Sequence, residues 1–254
     1  MKILAAETAT GWQSVALLEG ARVLASSHEE AGGAHARKLL PTIDRLLLES
    51  DLSLAALDGL AVSIGPGSFT GLRVGLATMM GFRMITGLPL AAVPTLEAMA
   101  WNLRHADRPL CPILKARTGA VYWAMYRWTT DGRLTQMIEE QVGSLEGLAQ
   151  SIAGPTIVLG EGWQAYKDEL RKLLGPDVRE VVEAPQEAMR ASAVSVGLAG
   201  LERLARQDLA PVGLSPRYVQ RPEAELKEIR GLTRPNVVRR QSRVAGSGRG
   251  SCLT

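Results

Sequence analysis

Short apolar runs and one strongly amphipathic stretch make up the beginning of the chain. Residues 2–8, 14–18 and 22–25 are apolar, and the turn residues Glu19-Gly20 separate the last two runs, which predicts three consecutive antiparallel strands. In residues 35–50, leucine and isoleucine recur at helical spacing and charged side chains fill the other face. This periodicity predicts an amphipathic helix after the strands.

A glycine-rich joint connects the next two predicted elements. Residues 58–64 read as a strand, and Gly65-Pro66-Gly67 ends it, since proline lacks a backbone donor and glycine loses the most conformational entropy. Ser68 can cap a helix over about residues 70–86, whose surface is apolar nearly all round. That helix is therefore predicted to be buried on two sides. Three glycines spaced four apart are predicted to line one of its faces: Gly67, Gly71 and Gly75.

The pattern then restarts, which predicts two α/β halves built on one plan. After a strand at 90–93 and a helix at 95–101, a pair of strands is predicted on either side of Arg117-Thr118-Gly119, with a later turn at Asp131-Gly132. The remaining predicted elements are a strand at 156–159, helices at 164–174 and 188–206, and an extended segment at 211–222. We expect domains at 1–108 and 109–230, the second with the last helix and the extended segment, followed by a tail at 231–254.

Composition favours a cytoplasmic protein with a sizeable core. Hydrophobic residues make up 46% of the chain, yet no apolar run approaches the roughly 18 residues of a membrane helix. Glu7 follows the start too closely for a signal peptide, and Cys111 and Cys252 imply no disulfide framework. The tail 231–254 holds five arginines and no acid, and the rest has 24 basic and 26 acidic residues. We expect this tail to be disordered, and we favour a non-functional extension over an RNA contact.

Several motifs together resemble the bacterial TsaB (YeaZ) family. The most specific is Gly65-Pro66-Gly67-Ser68-Phe69-Thr70-Gly71-Leu72-Arg73-Val74-Gly75, and further matches lie at 3–10, 35–41, 119–124, 160–164 and 216–223. The resemblance covers about residues 2–223. Two positions depart from the family pattern, because Glu7 and Lys115 stand where aspartate is usual.

The resemblance implies an actin/Hsp70/sugar-kinase-like (ASKHA) fold and a role in making threonylcarbamoyladenosine beside the anticodon of certain tRNAs. In that family, TsaB is the non-catalytic scaffold of its catalytic paralogue TsaD. The ATPase TsaE joins the assembly, and TsaB proteins alone form homodimers. A chain of this kind is expected to reach tRNA only through the complex. No cofactor of its own is expected, since ATP and magnesium belong to partner subunits.

No catalytic or metal-binding residue is predicted. The catalytic paralogue carries its metal ligands in a His-x-x-x-His motif after a strand like that at 90–93, and the two positions here are Thr95 and Met99. Neither side chain replaces imidazole on iron or zinc, and only Glu97 remains between them. Ser68 also lacks the Gly-x-Ser-x-Gly frame of a hydrolase nucleophile.

Two alternatives to a scaffold remain open at this point. The first is a nucleotide-dependent transferase or ATPase of the same fold. The glycine loop lacks the lysine and spacing of a Walker A loop, so its binding residues would be Glu7, Thr8 and Thr10 in the first hairpin, where Trp12 adds bulk at the turn. The second is a tRNA-binding accessory module that acts through the arginine tail.

The two predicted helices at 37–50 and 70–86 form the predicted partner interface. A glycine stripe lets another backbone approach closely, and methionine suits a surface that repacks against several partners. An ordinary interior helix explains the same residues equally well, and the family resemblance favours the interface. Its predicted residues are Leu39, Leu40, Ile43, Leu47, Gly67, Ser68, Phe69, Thr70, Gly71, Arg73, Val74, Gly75 and Met79.

Overall fold

The computed structural model describes residues 1–116, 119–175, 181–217 and 219. Two five-stranded sheets form its centre. The strands of the first sheet are β1 (Lys2–Glu7), β2 (Trp12–Glu19), β3 (Arg22–Glu30), β4 (Gly59–Ser63) and β5 (Leu90–Val93). Those of the second are β6 (Leu110–Lys115), β7 (Ala120–Trp128), β8 (Leu134–Ser144), β9 (Thr156–Leu159) and β10 (Val181–Glu183).

Both sheets follow the same plan. In the first, with the order β3-β2-β1-β4-β5, an antiparallel meander of three strands is extended by two parallel strands. The second, with the order β10-β9-β6-β7-β8, has its own meander and its own two parallel strands. The parallel strand β4 is buried along its whole length and apolar at its centre, because helices cover both of its faces. The two similar α/β halves are as predicted.

Two helices connect the two halves, because each follows one sheet in the chain and packs on the other. Helices α1 (His35–Glu49) and α2 (Phe69–Thr86) pack on the first sheet, and α4 (Leu145–Ser151) and α5 (Glu161–Leu174) pack on the second. Helix α3 (Thr95–Ala100) follows the first sheet in the chain yet packs on β6 and β7 of the second. Helix α6 (Ala193–Ala205) follows the second sheet and packs on the first.

Small residues permit the close packing of α6 on the first sheet. A Cβ atom added to Gly200 would lie 2.5 Å from the Cβ of Ala61, and one on Gly197 would lie 2.5 Å from a methyl group of Leu18. One buried apolar cluster consequently contains residues of both sheets together with α3 and α6. A second cluster lies between the other face of the first sheet and α1 and α2.

The strongly periodic elements agree with the sequence prediction, whereas polar edge elements were missed. The predicted helices at 35–50 and about 70–86 are α1 and α2 to within one residue. Strand β8 was missed because it lies at the edge of its sheet, exposes most of its side chains and has no apolar run. The short elements α4 and β10 were missed as well. Within the described residues, no helix combines the length and apolar character that crossing a membrane requires. The tail 231–254 lies outside them.

Candidate functional site

The glycine loop between β4 and α2 is fixed by hydrogen bonds with Thr95 of α3 and by the cap that Ser68 forms on α2. Ser68 caps α2, and its Oγ accepts a hydrogen bond from the Gly71 N–H at 3.2 Å. Gly65 forms two hydrogen bonds with Thr95, one from its own N–H to Oγ1 (3.1 Å) and one from the Thr95 N–H to its carbonyl (2.7 Å). Gly65 has φ +111°, a conformation that favours glycine. Thr95 therefore anchors the loop.

Thr95 and Met99, which the resemblance places at the positions of metal ligands, belong to the packed interior of this chain. Thr95 and Met99 are both fully buried, and Glu97 forms an ion pair with Arg203 at 2.7 Å. Within the described residues, no group of three or more His, Cys, Asp or Glu side chains is arranged to hold a metal ion. A hydroxyl engaged by the glycine loop and a core thioether do not fit an iron or zinc site.

Of the three glycines predicted to line one face of the helix, Gly71 and Gly75 lie in α2, whereas Gly67 lies in the loop before the cap Ser68. All three contact the chain's own first hairpin. A Cβ atom added to Gly71 would lie 2.0 Å from the Thr8 carbonyl oxygen, and one on Gly75 would lie 2.3 Å from Thr8 Oγ1. One on Gly67 would lie 2.2 Å from the carbonyl oxygen of Ala9. Thr8 Oγ1 donates a hydrogen bond to the Gly71 carbonyl at 2.9 Å. The close backbone approach expected of this stripe is therefore made within the chain.

The predicted interface residues differ in exposure: some lie at the surface of α1 and α2, and the others are buried beneath them. Leu40 is 47% exposed and Phe69 39%, and Ser68, Thr70 and Arg73 are exposed as well. The Arg73 guanidinium lies 3.8 Å above the centre of the Phe69 ring. Gly67 and Val74 are half-buried. The remaining predicted residues are buried beneath this surface: Leu39, Ile43, Leu47, Gly71, Gly75 and Met79. The interface itself stays a prediction.

Three further apolar side chains on the same two helices are more exposed than Leu40 and Phe69. Leu48 is 82% exposed, Met84 86% and Ile85 83%. Leu48 could have been found from the sequence, since it interrupts the charged face of α1. We define the docking surface as Leu40, Leu48, Phe69, Arg73 and Met84.

The three predicted nucleotide-binding residues lie in different environments. Glu7 is buried, and its Oε1 accepts a hydrogen bond from the Ala9 N–H. Burial raises the pKa of the Glu7 carboxyl to about 7, against the opposing effects of the nearby Ser63 hydroxyl and the Ala9 N–H. Thr8 is engaged by α2. Of the three, Thr10 alone is among the residues described around the cleft.

The cleft between the two halves consists of two adjoining cavities of about 380 and 300 Å³. Both are lined by Thr10, Lys115 and Glu161. Burial raises the pKa of Glu161, and the Lys115 ammonium and N–H oppose that shift. Trp12 also lines the larger cavity, and the Arg190 guanidinium lies 3.8 Å from the centre of its ring. This is a polar cleft with two basic residues, Lys115 and Arg190, and one acidic residue, Glu161, on its walls, and nucleotide binding there stays a prediction.

Sequence reasoning missed an ion pair that joins the glycine loop to the second sheet. The Arg217 N–H donates to the Ile64 carbonyl at 2.7 Å, and its Nε lies 2.9 Å from Oε2 of Glu140 on β8. The Glu140 side chain is 2% exposed. Burial raises its pKa to about 7, Arg217 opposes this shift and Glu97 adds to it. Only the proline-containing motif around Arg217 marked this segment in the sequence.

Together, the twin sheets, the exchanged helices and the cleft define an actin/Hsp70/sugar-kinase-like protein, as predicted. The likeness in fold extends to component A of the (R)-2-hydroxyglutaryl-CoA dehydratase of Acidaminococcus fermentans, which has a TM-score of 0.50 at 10% identity and covers 81% of this chain and 99% of that one. Closer in structure is a Pseudomonas aeruginosa protein described as similar to peptidase YeaZ. Its TM-score is 0.74 at 28% identity, with 86% of this chain and 99% of that one covered.

Sequence comparison identifies the family within this class. Residues 22–227 match the family model described as TsaD, tRNA N6-adenosine threonylcarbamoyltransferase. The tRNA threonylcarbamoyladenosine biosynthesis protein TsaB of Escherichia coli is 37% identical over 174 residues, which cover 66% of this chain and 74% of the relative. That of Bacillus subtilis is 31% identical over 233 residues, or 90% of this chain and 98% of the relative. The chain belongs to the TsaB/YeaZ family, which takes part in threonylcarbamoyladenosine biosynthesis.

Proposed function

We propose that this chain is a non-catalytic scaffold subunit of the tRNA N6-threonylcarbamoyladenosine synthase, which binds and supports a catalytic paralogue of the TsaD type. The observation that carries the proposal is the docking surface, where large apolar side chains of α1 and α2 stand exposed. Exposed apolar patches on a folded domain mark interaction sites. Leu40, Leu48 and Met84 supply apolar area, and Arg73 stacked on Phe69 supplies the arginine–aromatic pair typical of binding hot spots.

The packing beneath the docking surface favours a preorganised interface. The start of α2 is tied to the first hairpin through Thr8, to α3 through Thr95 and to β8 through Arg217. A surface that is already rigid loses less conformational entropy on binding, which increases affinity. The glycines thus contribute to binding indirectly, because they allow α2 to be fixed against β1 and β2.

Three buried residues outside the docking surface support a chain without chemistry of its own. Thr95 and Met99 occupy the positions of the paralogue's metal ligands and belong to the packed interior. With its pKa near 7, Glu7 is only partly ionised at neutral pH, and it is buried beneath the hairpin. Support of the catalytic paralogue, by assembly or by allostery, is therefore the activity we assign to this chain.

We extend the proposal to the rest of the assembly. A TsaE-type ATPase binds the same complex, ATP and magnesium are used by partner subunits, and tRNA is reached only through the complex. The isolated chain forms a homodimer through the docking surface, and it works in the cytoplasm. Sedimentation of the isolated chain tests the homodimer, since a monomer at micromolar concentration would contradict it.

Co-purification with the TsaD-type paralogue tests the scaffold role. Substituting Gly71 or Gly75 would be ambiguous, because any added side chain collides with Thr8 and disturbs the fold. Leu40→Glu changes an exposed side chain and is expected to abolish co-purification. Leu173→Glu on α5, where the leucine is 43% exposed, is the matched control and is expected to retain it. Retention by both variants would contradict the proposal.

Nucleotide-dependent chemistry is the second candidate, and the cleft with Thr10 and Lys115 is the feature that favours it. Calorimetry with ATP and magnesium on the isolated chain separates the two proposals. The scaffold proposal expects no tight binding, whereas tight binding that is lost in Lys115→Ala would support the alternative. The tRNA-binding module stays a prediction, because its arginine tail lies outside the described residues. Loss of tRNA retention on deletion of residues 231–254 would support that module.

A further inference from the structure

A groove of about 580 Å³ lies on the second sheet, and it shares no lining residue with the cleft or the docking surface. It is bounded by β7, β8 and the segments before β6 and β9. Met125 is 5% exposed and lies at its base, whereas Met137 is 51% exposed. The proposed scaffold function makes no use of this groove.

The groove exists because α4 is too short to cover the sheet. Gly147, in the first turn of α4, packs on the Trp123 indole, since an added Cβ would lie 3.7 Å from it. Met125 and Arg127 are the next two residues on that face of β7. Helix α4 has seven residues and spans about 10 Å, whereas the eleven residues of β8 extend over about 37 Å. The sheet beyond the end of α4 is therefore left without a helix.

A bulge in β8 adds apolar surface to the same groove. Met125 pairs with Ile138 and Tyr126 pairs with Gln136, so Met137 is an extra residue without a partner on β7. Successive strand residues normally point to opposite faces, and a bulge re-aims one of them. Met137 and Ile138 consequently both line the groove. Methionine side chains adapt to the shape of a bound segment, which suits peptide recognition.

The charge around the groove has a single sign. Arg108 and Arg127 are the charged residues among the described residues that line it. Neither guanidinium forms an ion pair with a described residue. Arginine binds carboxylates in a bidentate geometry, so two guanidinium groups that have no ion pair with the described residues, beside an apolar surface, complement an acidic, apolar chain.

We propose that this groove binds an acidic, apolar peptide segment of a partner protein. Apolar side chains of the segment pack on Met125, Met137 and Ile138, and its carboxylates pair with Arg108 and Arg127. The chemistry excludes a basic segment, because its charges would lie against two guanidinium groups.

Fluorescence anisotropy with the full chain and two labelled peptides tests this proposal. One peptide of about twelve residues carries leucine at every third or fourth position and glutamate elsewhere, and the other carries lysine in place of each glutamate. The acidic peptide is expected to bind at least tenfold more tightly than the basic one. Arg127→Glu and Met137→Glu are each expected to weaken its binding at least tenfold, and thermal melting of each variant confirms that it is folded.

Arg133→Glu is the matched control, since Arg133 is an exposed arginine on the neighbouring turn that pairs with Asp131. This variant is expected to bind the acidic peptide as the unchanged chain does. Equal affinity for the two peptides, or unaltered binding by folded Arg127→Glu, would overturn the proposal. Self-association of the chain that Met137→Glu abolishes would overturn it too, because a second copy would then be the occupant.

Discussion

Replacement of Glu7 by glutamine tests how the buried first hairpin responds to pH. The carboxyl is buried at the end of β1, and its pKa is raised from 4.5 to about 7. Neither Glu7 Oε2 nor Ser63 Oγ has a partner of hydrogen-bonding geometry among the described residues. Glutamine keeps an oxygen that can accept from the Ala9 N–H and places an NH₂ donor near Ser63, but it cannot ionise.

The sign and size of the effect follow from the shift in pKa. Between pH 4.5 and about 7 the folded chain binds the Glu7 proton more strongly than the unfolded chain, so stability falls as pH rises through this window. Above about pH 7 the contribution is constant. Each unit of difference in pKa corresponds to about 1.4 kcal/mol. Ionisation of Glu7 therefore lowers the free energy of unfolding by about 3 kcal/mol at pH 8 relative to pH 4.

The assay is urea unfolding of both proteins at pH 4, 5, 6, 7 and 8. Because glutamine removes this loss, the free energy of unfolding of Glu7→Gln minus that of the unchanged chain is expected to rise with pH by about 3 kcal/mol and to level off above pH 7. Taking this difference cancels the contribution of Glu140, whose pKa is also about 7. The exposed Gln186→Ser, which changes no titratable group, is the control, with a difference that stays flat. A flat difference for Glu7→Gln would refute the reasoning.

Three other predictions have defined outcomes. Gly71→Ala is expected to lower the free energy of unfolding by about 2 kcal/mol or more, because its Cβ would lie 2.0 Å from a backbone oxygen. Gly81→Ala, in the same helix with no atom within 4 Å, is expected to be neutral or to stabilise by about 0.5–1 kcal/mol; equal melting temperatures would contradict this contrast. Arg217→Met removes the guanidinium that lowers the pKa of Glu140, so that pKa is expected to rise further. The free energy of unfolding measured against pH would then show the Glu140 transition above pH 7. An unchanged transition would argue against the ion pair. Burial raises the pKa of the Cys111 thiol to about 12. In a chain in which Cys252 is replaced by serine, we therefore expect Cys111 to react with Ellman's reagent only after unfolding. Rapid reaction of the folded chain would show that Cys111 is not buried.

The spacing of apolar residues was sufficient to predict the two helices that carry the docking surface. Leucine spacing in α1 and the capped apolar run of α2 predicted both helices closely, because each buries a continuous face. Strand β8 was not predictable in the same way. Its side chains are mostly exposed, and it is a strand because β7 offers it hydrogen bonds.

The site depended on contacts that sequence spacing does not reveal. The glycine stripe was predicted as one face of α2, yet what covers it is Thr8, 63 residues before Gly71. Arg217 reaches Glu140 across a similar separation along the chain. A stripe of small residues indicates that another segment approaches closely, but it does not identify that segment. The interface was therefore predicted to include glycines that the chain's own hairpin covers.

The dissociation constant of the full-length chain and its TsaD-type paralogue, measured by calorimetry, tests the central claim most directly. Phe69→Ala removes a 39% exposed ring of the docking surface and is expected to weaken binding about tenfold or more, as truncation of an aromatic hot spot does. Leu173→Ala on α5 is expected to leave the constant unchanged. An unchanged constant for Phe69→Ala, or equal weakening by the two variants, would contradict the assignment of α1 and α2 as the docking surface.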